Sequence, residues 1–170
     1  MNFISRLVTT AFILPLTIAG APAPEAKASM LNNPTDGEAL INELMMAGVN
    51  VNVSPCSDDR SFGWFSYNTG TFRGSEIQIC TNVATTEARR WETLRHEAVH
   101  VAQKCSNPNH GNSFETVNTW SFLKSNGRES DAKFITSSYP QEKWAIELEA
   151  FTMMRQSNAV ILNFVARACR

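Results

Sequence analysis

The sequence predicts a small α+β domain with a short, mostly antiparallel sheet, and three observations predict it. Residues 49–54 alternate apolar and polar side chains, the period of a half-buried strand. From Thr86 onward apolar residues recur at helical intervals instead, and that period returns in segments up to the C-terminus. A helix, then strands, then helices is the segregated order of an α+β domain.

The N-terminal stretch reads as a leader. Arg6 provides a charged start, residues 7–21 form an apolar run, and Pro22-Ala23-Pro24 follows. Ala26-Lys27-Ala28 supplies the small residues of a cleavage site, so residues 1–28 are expected to be a signal peptide and 29–170 a single domain. The apolar run, about 15 residues, is short for a bilayer span.

Thr35-Asp36-Gly37-Glu38 has capping-box spacing, and Leu40, Ile41, Leu44 and Ala47 continue a helix until Gly48 stops it. Val49, Val51 and Val53 then alternate with Asn50, Asn52 and Ser54 in a strand that ends at Pro55. Residues 62–67 and 74–80 read as two more strands, joined by a turn through Asn68-Thr69-Gly70. In the second, Ile77 and Ile79 face one way and Glu76, Gln78 and Cys80 the other.

Trp91, Leu94, Ala98, Val101 and Ala102 form one broad apolar face of a helix starting at Thr86, with Pro108 beyond its end. Residues 107–112 have loop chemistry, and 113–126 reads as a further helix stopped by Gly127. Residues 128–139 are polar and show no clear period. Pro140 suits the first turn of a helix running through Trp144, Leu148, Phe151 and Met154. The run 160–165 closes the chain as a core helix.

Without residues 1–28 the chain carries 13 basic and 15 acidic side chains. A net charge near −2 with no basic cluster speaks against nucleic acid as a partner. No later apolar run is long enough for a membrane span, so no membrane association is expected after signal cleavage. An oligomeric state is not legible. Cys56, Cys80, Cys105 and Cys169 are an even set in a chain expected to be secreted or periplasmic, which predicts two disulfides with the pairing open among three choices. Thiol ligation of zinc is the weaker reading, because no pair has Cys-x-x-Cys spacing.

The chemistry concentrates in His96-Glu97-Ala98-Val99-His100. Histidines four apart share a helix face, so both rings can reach one ion. Glu97 is offset about 100° around the helix from His96, beside the ion, where it can take a proton from zinc-bound water. A catalytic zinc needs a third protein ligand. An elongated motif would need Gly at position 103 and His at 106, but Gln103 and Ser106 stand there. His110 lies in a loop and is a weaker source than the helix 144–151, which carries Glu147 and Glu149 among apolar residues. Buried carboxylates call for a partner, and zinc is one. Trp144, Glu147, Phe151 and Met154 share a stripe, so periodicity leans toward Glu147 without excluding Glu149.

The stretch from Thr93 to Ala102 is uncharged at every flanking position except Arg95, and it resembles the extended signature of zincin metallopeptidases. Glu147 followed by Ala150 is similar to the second motif of the gluzincins. Phe151 departs from that pattern, standing where an Asp often orients the first histidine. The resemblance implies a zincin-like domain whose zinc helix packs with C-terminal helices, with zinc held by His96, His100 and Glu147. It also implies Glu97 as general base, a peptide or protein substrate, and an edge strand, here 74–80, that holds an extended substrate. Tyr139 is read chiefly as a packing residue beside Pro140, with donation to an oxyanion as the alternative. Hydrolysis of a non-peptide amide shares every one of these residues. The rival from another class is a disulfide-stapled binding module with a structural or vestigial zinc site, against which the intact Glu97 speaks.

Overall fold

A computed structural model of the chain describes residues 34–57, 60–67, 74–106 and 129–170. The expected leader, the turn at 68–70, His110 and the helix expected over 113–126 lie outside the described residues. The described elements are α1 (Pro34–Met46), β1 (Val49–Ser54), β2 (Gly63–Ser66), β3 (Ser75–Cys80), α2 (Glu87–Ser106) and α3 (Glu129–Ser138). A short 3-10 turn (Gln141–Lys143), α4 (Trp144–Met153) and α5 (Asn158–Cys169) complete the α+β domain.

α1 opens on Pro34, whose missing N–H costs nothing in a first turn. Thr35 therefore lies inside the helix and not ahead of it, as the capping-box spacing would have had it. The helix stops at Gly48, which takes φ 86° while its amide donates to the Met45 carbonyl at 2.9 Å. Thr86 caps α2, its hydroxyl accepting from the Arg89 amide at 3.2 Å. Ser157 caps α5 in the same way.

The sheet is mixed, and here the expectation of mostly antiparallel pairing is corrected. Its order is β1-β3-β2, with β1 parallel to β3 from Val49↔Ser75 to Ser54↔Cys80 and β2 antiparallel to β3. β2 follows β1 in sequence but lies on the far side of β3, so β1 and β3 run the same way. The Cys56–Cys80 disulfide requires this, because it joins the residues where the two strands end together. A second correction concerns 74–80. β3 is the central strand and not an edge, with partners on both sides and Ser75, Ile77, Gln78, Ile79 and Cys80 all buried. Its backbone is already paired and cannot take an added strand.

α2 runs between the sheet and the C-terminal helices. Leu94, Ala98, Val101 and Ala102 join Leu40, Leu44, Val49, Ile77, Ile79, Ile161 and Val165 in the main core. A smaller cluster, Ile135 and Leu148 with Tyr139, Trp144 and Phe151, lies where α3 meets α4. α3 fills the stretch whose period was unreadable. Only Ala132 and Ile135 of its side chains are buried, and Arg155 ties it down by reaching Asp131 at 3.3 Å and Glu92 at 3.5 Å. Cys105–Cys169 fastens the end of α2 to the end of α5, with Cα atoms 4.9 Å apart. Both pairs confirm two disulfides, and such bonds belong to an oxidising compartment. No helix among the described residues is long and apolar enough to cross a membrane.

Candidate metal centre

His96 and His100 are successive-turn neighbours on the face of α2 that meets α4. Their Nε2 atoms lie 3.2 Å apart. α4 is apolar on nearly every face, its middle residues Glu147, Leu148, Glu149 and Ala150 are buried, and both of its glutamates are 7% exposed. They take different directions. The Glu147 carboxylate reaches between the histidines, with Oε2 3.4 Å from Nε2 of His96 and Oε1 3.6 Å from Nε2 of His100. Glu149 turns behind His100 and accepts from Nε2 of Gln103 at 2.7 Å.

Whether these residues fit a metal can be tested on their spacing. Zinc bonds of about 2.0–2.1 Å in a tetrahedron put ligand atoms about 3.3–3.4 Å apart. The two Nε2 atoms, 3.2 Å apart, are close to that edge length, and each faces a different oxygen of the Glu147 carboxylate, at 3.4 Å for His96 and 3.6 Å for His100. Oε2 of Glu147 is buried without a hydrogen-bond partner among the described residues, a costly state that a cation relieves. His96, His100 and Glu147 could therefore hold a metal ion, and they are the group gathered for it among the described residues.

In the metal-free protein protons take over that role. Burial alone would lower the pKa of His100, but Glu147 and the charge of Glu97 outweigh it and raise it to about 9. Burial would raise Glu147, but His100 and His96 outweigh it and hold the carboxyl down at about 2. Glu149 is pushed up by burial, against the opposing effects of its Gln103 hydrogen bond and His100.

Glu97 is buried beside the histidines and lines a cleft of about 340 Å³. Phe62, Gly63, Thr93, His96, Tyr139 and Phe151 line it too. The Phe151 ring lies edge-to-face with His96, at 4.8 Å between centroids. Tyr139 does pack, against Phe134 and with its carbonyl accepting from Trp144 Nε1. Burial and the Glu147 and Glu97 carboxylates also raise its pKa, so its hydroxyl remains a donor.

The mouth of the cleft is set by β2. A Cβ on Gly63 would come within 2.5 Å of the Gln78 carbonyl oxygen and 2.8 Å of the Thr93 methyl, so only glycine lets the strand start this close to α2. Among the described residues, β2 has β3 as its one partner strand, which leaves its outer edge open.

The family model of DUF8637, described as a domain of unknown function, matches residues 40–169. The chain belongs to the DUF8637 family. Neither a curated protein nor a solved structure matches the chain. The matched span of this DUF8637 domain includes His96, Glu97, His100, Glu147 and all four cysteines.

Sequence reasoning did not single out Gln103 or the role of β2. Gln103 was read only as the absence of a glycine, and the signal available was its position three residues after His100 and seven after His96, which puts a polar side chain on the histidine face of the helix. That β2 has β3 alone beside it among the described residues depends on strand order, which no local pattern carries.

Proposed function

We propose that this domain is an exported zinc metallopeptidase, with the ion on His96, His100 and Glu147 and with Glu97 as general base. The observation that carries the reading is the convergence of the two Nε2 atoms, 3.2 Å apart, on the two oxygens of the Glu147 carboxylate at 3.4 and 3.6 Å, beside a glutamate that lines an open cleft. Zinc, when bound, supplies a Lewis acid that polarises a carbonyl and lowers the pKa of water to about 7.

The chain's own groups do the rest. Glu97 takes the proton of the attacking water and returns it to the leaving amine. Tyr139, on the same cleft, keeps its proton beside Glu147, and turned toward substrate that hydroxyl would donate to a developing oxyanion. An extended peptide has the outer edge of β2 for strand addition, next to a cleft whose apolar lining includes Phe62, Phe134, Phe151 and Met154. Export is supported by the two disulfides and by the leader read over residues 1–28. A purely structural zinc site fills its positions with four protein ligands, whereas three are gathered among the described residues.

Purified mature protein should hold about one zinc per chain and cleave members of an unbiased peptide mixture. Glu97→Gln should keep the zinc and lose cleavage by about a hundredfold or more, the scale of general-base catalysis. Wild-type protein that stays free of zinc after reloading sinks the metal reading. A zinc-loaded Glu97→Gln variant as active as wild type sinks the mechanism.

A further inference from the structure

Gln103 has no part in the chemistry above, yet it is 1% exposed and lies between His100 on its own helix and Glu149 on α4. Its hydrogen bonds determine which way its amide is turned. Nε2 lies 3.0 Å from the backbone carbonyl oxygen of Ile146, and a carbonyl only accepts. The NH₂ end therefore faces α4, where it also donates to Glu149 at 2.7 Å. That leaves Oε1 facing Nδ1 of His100 at 2.8 Å. An amide oxygen only accepts as well, so the His100 proton sits on Nδ1. In the neutral ring the lone pair is then on Nε2, the atom directed at His96 and Glu147.

We infer that Gln103 is the positioning residue of the metal centre: it fixes His100 in the tautomer that ligates through Nε2 and holds α4 in the register that aims Glu147 at the same point. The inference rests on the metal reading of His96, His100 and Glu147. The register follows from where the two donor contacts fall. Ile146 precedes Glu147 by one residue and Glu149 follows it by two, so the rotation of α4 is fixed at the ligand itself. Glu149 has a use here that is not ligation. As an acceptor it occupies the second N–H of Gln103 and prevents the amide from turning over.

Outer-shell partners of this kind alter metal affinity about 10- to 100-fold. The first test needs no variant. Long-range proton–nitrogen correlation spectra of zinc-loaded wild-type protein should show His100 protonated at Nδ1 and metal-bound at Nε2. A His100 that ligates through Nδ1, or carries its proton on Nε2, overturns the inference. The second test measures zinc affinity by competition with a chromogenic chelator, with circular dichroism confirming that each variant is folded. Gln103→Met, of similar volume, should weaken zinc by about 10- to 100-fold. Gln103→Glu should also weaken it, because a carboxylate accepts from Nδ1 but cannot donate to Ile146 or Glu149. Combining Gln103→Glu with Glu149→Gln exchanges donor and acceptor within the relay and should recover most of the loss. A folded Gln103→Met with wild-type affinity overturns the inference, as does a double variant no better than Gln103→Glu. Wild-type protein that binds no zinc overturns the metal reading and the inference with it, whereas the variant outcomes overturn the inference alone.

Discussion

Oε2 of Glu147 lies 3.4 Å from Nε2 of His96, fifty-one positions earlier in the chain, and it is buried with no hydrogen-bond partner among the described residues. The free energy of this contact depends on what neutralises it. Without metal, Glu147 is held at about 2 against an ordinary 4.5, so its stabilisation is present above pH 4.5 and is lost as pH falls toward 2. His100 is raised to about 9 from 6.5, so its stabilisation is complete below pH 6.5 and is lost as pH rises through 9. Both shifts describe largely one attraction and are not added together. Metal needs the neutral ring, so its binding strengthens over the window in which the proton is lost. Melting curves should show the chelated protein losing stability from pH 6.5 to 9 while the gain on adding zinc widens. Two parallel, flat pH profiles would contradict this account.

The two buried glutamates of α4 separate by partner and not by burial. On the proposed ligand set Glu147→Ala should lose zinc, since two histidines alone hold it poorly. Glu149→Ala removes only the acceptor behind Gln103, so zinc should be weakened by about 10- to 100-fold and not abolished. Elemental analysis after gel filtration, followed by chelator competition, distinguishes the two. Loss of zinc in Glu149→Ala with retention in Glu147→Ala would exchange their roles.

Gly63 is predicted to be intolerant of any side chain, because its missing Cβ is the space taken by the Gln78 carbonyl and the Thr93 methyl. Gly63→Ala should destabilise by about 1–3 kcal/mol through overpacking. The displaced strand lies at the cleft, so KM for a cleaved peptide should rise while zinc content stays at the wild-type level. Unchanged kinetics and melting temperature would show that β2 does not shape the cleft.

How far the sequence reaches is clear from particular residues. The α2 motif was legible because His96, Glu97 and His100 are local, and a helix converts their spacing into geometry without help from the rest of the fold. Glu147 was only favoured over Glu149, since an almost wholly apolar helix has no polar side from which to take a bearing. The parallel pairing of β1 with β3 was hidden because strand alternation specifies faces and not neighbours. Once Cys56 is known to pair with Cys80, the ends of those strands must coincide, so the missing information was the disulfide choice. α3 escaped because two buried side chains, Ala132 and Ile135, are too few to establish a period.

Arg95 is the one charged residue flanking the motif, and it is buried, not solvated. Burial lowers its pKa, with Glu92 acting in the opposite direction. Its Nε donates to the Met154 carbonyl at 2.6 Å and another guanidinium nitrogen to Asn158 Oδ1 at 3.0 Å, which pins the connection from α4 to α5. Arg95→Met leaves both acceptors buried and should cost about 3 kcal/mol, at about 1–3 kcal/mol for each unsatisfied group. For a domain of this size that is roughly 10 °C in Tm. A shift under about 2 °C, less than 1 kcal/mol on that scale, would show that the arginine is dispensable to the packing of α4.

The two disulfides should separate stability from metal binding. Closing a loop across the 24-residue separation of Cys56–Cys80 or the 64-residue separation of Cys105–Cys169 restricts the unfolded chain by roughly 3–4 kcal/mol in either case. Removal of either pair by double Cys→Ala substitution should therefore lower Tm by a similar amount, roughly 10 °C. Their effects on the site differ, because Cys105 lies two residues past Gln103 in the last turns of α2, whereas Cys56 lies beyond the end of β1 and bonds Cys80 at the end of β3. Loss of Cys105–Cys169 frees that helix end from α5, and the Gln103 hold on His100 and α4 should loosen with it. Zinc affinity at 20 °C, far below either melting transition, should then fall in the Cys105/Cys169 variant and stay near wild type in the Cys56/Cys80 variant. Equal affinities in the two variants would mean that α2 keeps its last turns without the tether, and that the disulfide acts on the unfolded chain alone.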